Sequence, residues 1–386
     1  MTRGSRLGRR LRGHRSARIG LWSIAVIVVL VACADFIGPY GVREQANEFA
    51  YAPPTRIYFG DGTGYRLRPH IYKVEATIDP STYARTFVED RSKPYFVRLF
   101  VRGTPYRLFG LIRTDIHLFG VRAADGANDA RIFLFGADPF GRDLFMRVLA
   151  GGRVSILVGP FTLLLLIPLA VLIGGLSGYA GGWVDAVLQR IGEGFIMLPG
   201  LPIVLIVGAA LTEAGAGPAG VFFGVMGALA AVGWARVARV VRGQVMALRE
   251  REYVQAARAA GAGHARILFR HILPQTASYL IVTATLLVPG TMLTEASLSF
   301  LGFGLREPLV SWGSLLHVAL DATIIGRSPW LLIPAGFIVL TALAFALVGE
   351  GLRDALDTLS SIPRDGRLGR AGLPIPRRGE RDPNAR

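Results

Sequence analysis

The stretch Val154-Ser-Ile-Leu-Val-Gly-Pro-Phe-Thr-Leu-Leu-Leu-Leu-Ile-Pro-Leu-Ala-Val-Leu-Ile-Gly-Gly-Leu-Ser-Gly-Tyr179 carries no charged residue. It exceeds the roughly 20 apolar residues that a helix needs to cross a hydrocarbon core. On either side the same character recurs in Ile19–Ile37 (broken only by Asp35 near its end), Gly194–Thr212, Pro218–Ala235, Tyr279–Thr294 and Trp330–Gly349. The 386-residue chain is 52% hydrophobic and 18% charged, less charge than a soluble domain carries. The sequence predicts an all-α polytopic membrane protein with six transmembrane helices.

Arginine sets the expected orientation. Before the first span stand Arg3, Arg6, Arg9, Arg10, Arg12, Arg15 and Arg18, with no acid among them. Cytoplasmic flanks of membrane helices carry such an excess. With this tail (1–18) inside and the first helix at 19–40, six crossings also put the Arg236–His271 loop and the tail 359–386 inside. Both are arginine-rich. The tail 359–386 is expected to be disordered. Arg236, Arg239 and Arg242 close the fourth span, where cations suit a helix C-terminus and lipid phosphates. Ala32-Cys33-Ala34 has the small residues of a signal cleavage site, but removing the first span would invert this arginine pattern. The span is expected to stay attached, with Cys33 unlipidated.

Residues 41–152 fall outside the membrane on this scheme. Their short aromatic and β-branched runs, Arg56-Ile-Tyr-Phe59 and Pro94-Tyr-Phe-Val-Arg-Leu-Phe-Val101, are separated by turns such as Asp61-Gly-Thr-Gly64. A small β-rich external domain is predicted there, followed by a five-helix core over 153–358.

Several chemistries are excluded. Cys33 is the only cysteine, and the six histidines (His14, His70, His117, His264, His271, His317) are scattered, so neither a disulfide nor zinc spacing is present. The net charge of +16 comes almost entirely from arginine beside apolar spans, which reads as lipid contact rather than nucleic-acid binding. Lys73 and Lys93 are the only lysines, and neither lies in the phosphate-loop context that ATP binding needs. The chain is expected to be no enzyme and to bind no metal or cofactor.

The loop between the fourth and fifth spans, 244–275, holds the sharpest motif. A helix of good formers runs to Ala260 and stops at Gly261-Ala-Gly263; a second short one ends at Ile272-Leu273 before Pro274. Ala256 with Ala260, and Ala257 with Gly261, lie four apart and leave one face nearly bare backbone. Such a face lets another protein's groove close tightly on it; the plainer alternative is an amphipathic interfacial helix.

Gln255-Ala256-Ala257, Gly261, then His271-Ile272-Leu273-Pro274 resembles the EAA loop of ABC importer permeases of the dipeptide/oligopeptide transporter family. Gln255 replaces the usual Glu, and His271 follows the peptide branch. Other blocks are similar to that family: Phe135-Gly-Ala-Asp-Pro-Phe-Gly141-Arg142-Asp143, Gly178-Tyr-Ala-Gly-Gly-Trp-Val-Asp185, Glu295-Ala-Ser-Leu-Ser-Phe-Leu-Gly-Phe-Gly304 with Ser311-Trp312-Gly313, and Gly349-Glu-Gly-Leu-Arg353-Asp354-Ala-Leu-Asp357. Together they run in order from 135 to 357.

The resemblance implies a type I ABC importer permease fold in the bacterial inner membrane, with both termini cytoplasmic. It implies a homologous second permease, two ATPase subunits holding ATP-Mg and docking on the loop, and an external binding protein that delivers peptide. Gly141, Arg142, Asp143, Asp185, Glu295, Trp312, Arg353 and Asp354 become structural or translocation candidates. Relatives also carry nickel chelates and other small solutes. A secondary transporter would instead place ionisable residues within spans, and a membrane-anchored receptor or enzyme would place its chemistry in 41–152.

Overall fold

The computed structural model describes residues 14–60, 65–78, 85–123 and 130–360. The arginines of the N-terminal tail from Arg3 to Arg12, the Asp61–Gly64 turn and the tail from 361 onward lie outside the described residues.

Five helices are long and apolar enough to cross a membrane, or six if one bent pair is counted as a span. The first is α1 (Arg15–Ala32), followed by the single turn α2 (Ala34–Ile37). Then come α3 (Leu144–Ala180), α4 (Gly182–Met197), α5 (Gly200–Glu213) and α6 (Pro218–Arg249). The last part holds α7 (Glu252–Ala259), the short α8 (His264–Arg266), α9 (Leu273–Phe300), α10 (Trp312–Leu316), α11 (Ala322–Arg327) and α12 (Ile333–Ser360).

The expected span Gly194–Thr212 straddles the joint of the bent pair, where α4 and α5 meet at 79°. Pro199 supplies the cause. It disfavours a helical conformation at the residue before it, and Leu198 is extended at φ −69°, ψ 132°. A second departure is at the start of α3, which begins at Leu144 rather than Val154. Arg147 and Arg153 interrupt the hydropathy of its first turns, yet both are neutralised by partners and the helix passes through them. α6 likewise continues beyond Ala235 to Arg249.

Close backbone approach holds the bundle. A Cβ at Gly174 would stand 2.4 Å from the Ala238 carbonyl oxygen, and one at Gly178 would stand 2.6 Å from that of Arg242. The two glycines lie four apart on α3 and form a seam against α6, the small-residue packing that membrane helices use in place of hydrophobic exclusion. Gly20 meets Ala344 on α12 in the same way. Trp22, Leu164, Ile206 and Val339 remain exposed on the bundle's outside, as suits a surface covered by lipid or another subunit.

Between α2 and α3 lies an antiparallel meander in the order β1-β2-β3-β4. Its strands are β1 (Tyr58–Gly60), β2 (Tyr65–Ile78), β3 (Arg85–Leu108) and β4 (Ile112–Ala123). His70 pairs with Phe96 and Val97 with Val121; the register shifts at Tyr72/Lys73 and again at Arg102/Tyr106. Ile71, Tyr95 and Val121 form a small core with Ala130 and Ile132. The sheet is tied to the end of the first span: His117 Nδ1 lies 2.5 Å from the Gly38 carbonyl oxygen, and Ile132 N donates to the Tyr40 hydroxyl at 2.8 Å.

Candidate functional site

The 244–275 loop is built on apolar anchors. α6 ends at Arg249, and Arg251 in extended conformation starts α7. Val254 is the buried residue of α7, while Gln255, Ala256 and Gly261 are exposed and Ala257 is half-buried. Gln255 Nε2 donates to the Glu250 carbonyl at 3.3 Å. Gly261 has φ +80°, the left-handed conformation that glycine enters without steric cost. Ala262 N then bonds back to the Ala257 carbonyl at 3.0 Å, a helix stop of the Schellman kind. Space around Gly261 is open: an added Cβ would meet nothing within 4 Å.

The second half differs from expectation. Pro274 does not end a helix. From His264 the chain passes through a single π-helical segment, Ile267–Ile272, directly into α9, and the whole run His264–Phe300 is one 37-residue helix. Pro274 sits in the first turn of α9, where its missing N–H costs little and the wider turn upstream absorbs its ring. Ile267, Leu268 and Ile272 are buried against Ala170 of α3 and Val241 of α6. His271 and Leu273 are half-buried, and Pro274 is exposed. His264 Nδ1 lies 2.9 Å from the Tyr179 hydroxyl, and the Arg258 guanidinium stands 5.8 Å over the Tyr179 ring. The loop is thereby fixed to the end of α3.

Asp185, in the first turn of α4, lies next to this assembly. Arg242 of α6 grips it twice, Nε to Oδ1 at 2.6 Å and a terminal nitrogen to Oδ2 at 2.5 Å. The Ser177 hydroxyl also donates to Oδ1, and Gln189 Nε2 donates to that hydroxyl at 3.0 Å. Arg249 reaches the Gly178 carbonyl at 3.4 Å. Of the predicted site residues, Asp185 alone enters this polar network, with Arg242, Ser177 and Gln189 as its partners.

A second network surrounds the start of α3. Asp138 Oδ1 accepts from Phe140 N and Arg142 N, and its Oδ2 accepts from Arg142 Nε at 2.6 Å. Glu307 receives Arg142 at 2.7 Å and Arg147 at 2.9 Å. Two buried guanidiniums are thereby balanced by two carboxylates, the pairing that makes buried charge tolerable. Arg147 and Arg142 hold Glu307 below its ordinary pKa although partial burial pushes the other way. Gly141 turns the chain at φ +70°, with no room for a Cβ, which would fall 1.8 Å from the Ala46 carbonyl oxygen. Asp143 caps α3 by accepting from Phe145 N at 3.1 Å, and burial pushes its pKa up to about 7.

Trp312 and Glu295 complete this end. Trp312 is fully buried, its backbone N donating to Ser155 Oγ at 2.9 Å and its indole Nε1 to the Val148 carbonyl at 2.8 Å. Glu295, expected near a span end, is also fully buried on α9. Its Oε1 accepts from Ser299 Oγ at 2.6 Å, while Oε2 has no hydrogen-bond partner among the described residues. Asp35 pairs with Arg153 at 2.8 Å, and Arg153 also caps the Val31 and Ala32 carbonyls. Arg353 and Asp354 are exposed on α12. Sequence reasoning missed Asp138, Arg147 and Glu307. Asp138 stood inside a quoted block, but only the fold brings Glu307 to it.

A cavity of about 810 Å³ opens between the linker after α2, β3 and α11, lined by Tyr51, Arg85, Phe87, Arg327 and Trp330 among others. No cluster of three His, Cys, Asp or Glu suited to a metal ion occurs among the described residues.

Residues 170–359 match the family model described as "Binding-protein-dependent transport system inner membrane component". Residues 2–54 match the model described as "N-terminal TM domain of oligopeptide transport permease C". The sheet lies between these two matches. The chain is 42% identical to the oligopeptide transport system permease protein OppC of Bacillus subtilis over 224 residues, 58% of this chain and 70% of the relative. Against the dipeptide transport system permease protein DppC of the same organism it is 40% identical over 223 residues, 58% and 68% of the two chains. The OppC of Escherichia coli is 43% identical over 224 residues, covering 58% and 71%.

Proposed function

The chain belongs to the family of binding-protein-dependent transport system inner membrane components, and we propose that it is the permease subunit of an ATP-driven peptide importer. In this reading it forms the translocation path with a homologous permease, receives peptide from an external binding protein, and couples to two separate ATPase subunits that hold ATP-Mg. The relatives named for oligopeptide and dipeptide transport support peptide over nickel chelates as cargo.

The observation that carries the coupling assignment is the exposed surface of α7 and Gly261. Its exposed face carries Ala256, Ala259, Ala260 and Gly261 together with the longer Glu252, Tyr253, Gln255 and Arg258, and its inner face is locked by Val254, Ile267 and Ile272. An ATPase groove closing on that face pushes on a rigid element rather than a flexible loop. The run from His264 to Phe300 passes the displacement into the bundle, a shear of packed helices of the kind that switches access. Gln255, Ala256, Ala257, Gly261, His271, Ile272, Leu273 and Pro274 are the residues assigned to this coupling loop, Gln255, Ala256 and Gly261 on its exposed surface and the buried Ile272 in its support.

With the arginine-rich N-terminal flank inside, this surface faces the cytoplasm, both termini are cytoplasmic and the sheet is external. The test is copurification of the cognate ATPase subunits with the chain and peptide-stimulated ATP hydrolysis in reconstituted membranes. A chain that transports peptide with its partner permease but without any ATPase would overturn the reading in favour of an ion-coupled carrier.

A further inference from the structure

The cavity of about 810 Å³ where the sheet meets the bundle has walls of two guanidiniums and three rings. Its volume lies within the range of about 300–1,000 Å³ that small-molecule sites occupy. Arg85 and Phe87 stand two apart on β3 and so share one face of the strand. Tyr51 comes from the linker after α2, and Arg327 and Trp330 come from the end of α11 and the turn that follows it. One wall thus belongs to the sheet, which lies between the two family matches, and another to the core matched over 170–359.

The apolar walls are fixed before any guest arrives. The Trp330 indole Nε1 donates to the Ala137 carbonyl at 3.2 Å. Its ring lies so close to Gly136 that a Cβ there would fall 2.6 Å from it. Phe87 packs against the buried cluster that holds Phe133 and Ala137. Tyr51 has φ +62°, a left-handed conformation that is costly for any residue but glycine and that gathers at binding sites.

The polar groups of the cavity lack counterparts. Arg327 is exposed and forms no ion pair among the described residues. Arg85 donates one terminal nitrogen to the Asn47 carbonyl, which leaves its other donors without a carboxylate. No acid lines the cavity among the described residues. Ser328 also lines it and is only 4% exposed, yet its hydroxyl makes no hydrogen bond among the described residues. A buried hydroxyl is ordinarily paired, so this one is a donor held ready for a guest.

We propose that this cavity binds the carboxyl end of a short peptide. The carboxylate sits with Arg85 and Arg327, and an apolar last side chain lies among Tyr51, Phe87 and Trp330. Guanidiniums match a carboxylate through parallel N–H donors, and the rings supply the apolar surface that a hydrophobic side chain needs. With no acid in the lining, the peptide's amino end is unmatched and stays outside. The inference rests on the reading of the chain as a peptide permease and adds which end of the cargo it holds.

The experiment measures equilibrium binding of radiolabelled Ala-Phe to the assembled permease pair with its ATPases in nanodiscs, without nucleotide or binding protein. Saturable binding is expected, equally strong for N-acetyl-Ala-Phe. Amidation of the carboxyl end should weaken it at least about tenfold, the effect of losing a charge-assisted bond, and so should replacement of the Phe by Ser. Arg85→Gln and Arg327→Gln together should weaken it at least as much, and Arg327→Lys, which keeps the charge, should weaken it less than Arg327→Gln. Ala50→Trp fills the cavity from the linker without changing either arginine and should abolish binding. Equal binding of Ala-Phe and its amide, unchanged binding in the double arginine variant, or phenylpropionate binding as tightly as Ala-Phe overturns the proposal. Absence of Ala-Phe binding while peptide-stimulated ATP hydrolysis persists also overturns it and leaves the importer reading standing.

Discussion

Arg242 and Asp185 lie 57 positions apart and meet in a two-pronged ion pair, with N–O distances of 2.6 and 2.5 Å. The pair joins α6 to α4 beside the loop assigned to the ATPases. Charge-assisted bonds of this geometry contribute about 1.5–3 kcal/mol each when a partner is removed. Asp185→Asn is expected to lower the stability of the detergent-solubilised chain by an amount in that range. Arg242→Lys should recover only part of it, since an ammonium cannot reproduce the fork. Thermal unfolding of the single and double variants measures the coupling.

Gly261→Asp is expected to abolish ATPase copurification while the chain still inserts. Backbone strain at φ +80° accounts for only about 1 kcal/mol. Because the space around Gly261 is open in the isolated chain, the larger effect must come from the docked partner. Gln255→Glu should retain or strengthen docking. Normal peptide-stimulated ATP hydrolysis in Gly261→Asp would refute the coupling assignment.

Gly141 and Gly110 share a left-handed backbone and differ in surroundings. A Cβ at Gly141 collides with Ala46 at 1.8 Å, whereas one at Gly110 meets nothing within 4 Å. Gly141→Ala should therefore cost several kcal/mol, the range of strained and overpacked sites. Gly110→Ala should cost only about 1 kcal/mol. Folded yield and thermal midpoint compare them directly.

Asp143 gives a pH signature. Burial raises its pKa from 3.8 to about 7 in the folded chain, so between those values the folded state holds a proton that the unfolded state has released. Its contribution to stability is complete below the unfolded pKa and is lost as pH rises through about 7. Asp143→Asn keeps an oxygen to cap α3 but cannot ionise. It should remove the dependence across pH 4–7, an effect on the order of a few kcal/mol, as read by denaturation at several pH values.

Much of this architecture was legible in hydropathy, because an uncharged run such as Val154–Tyr179 admits few other readings. Gly261 was legible too, since a Gly after a run of helix formers marks a stop. Pro274 misled: proline reads as a terminator, yet in the first turn of a helix it lacks only a donor that had no partner. The Leu198–Pro199 bend was hidden because membrane helices tolerate proline, and sequence does not say which proline breaks the chain. Arg242 read as a topology signal at the end of a span. Its pairing with Asp185, like that of Glu307 with Arg142, depends on helices brought together by packing, and no local pattern reports it. The long β3 was obscured by Pro94 and the polar Asp90–Ser92 stretch, which the register shift opposite Tyr72/Lys73 accommodates.

The contact of Gly174 and Gly178 with α6 limits the degrees of freedom of the moving bundle. Sliding α3 by one residue along that seam would bring a side chain where only a hydrogen fits, so α3 and α6 translate as one welded body. Relative displacement during a transport cycle must then be taken up elsewhere. The joint between α4 and α5 is built for it, because at Leu198–Pro199 no continuous helical hydrogen bonding resists a change of angle. The machine thus has a stiff spine and one soft elbow, and its stroke should be sought at the elbow.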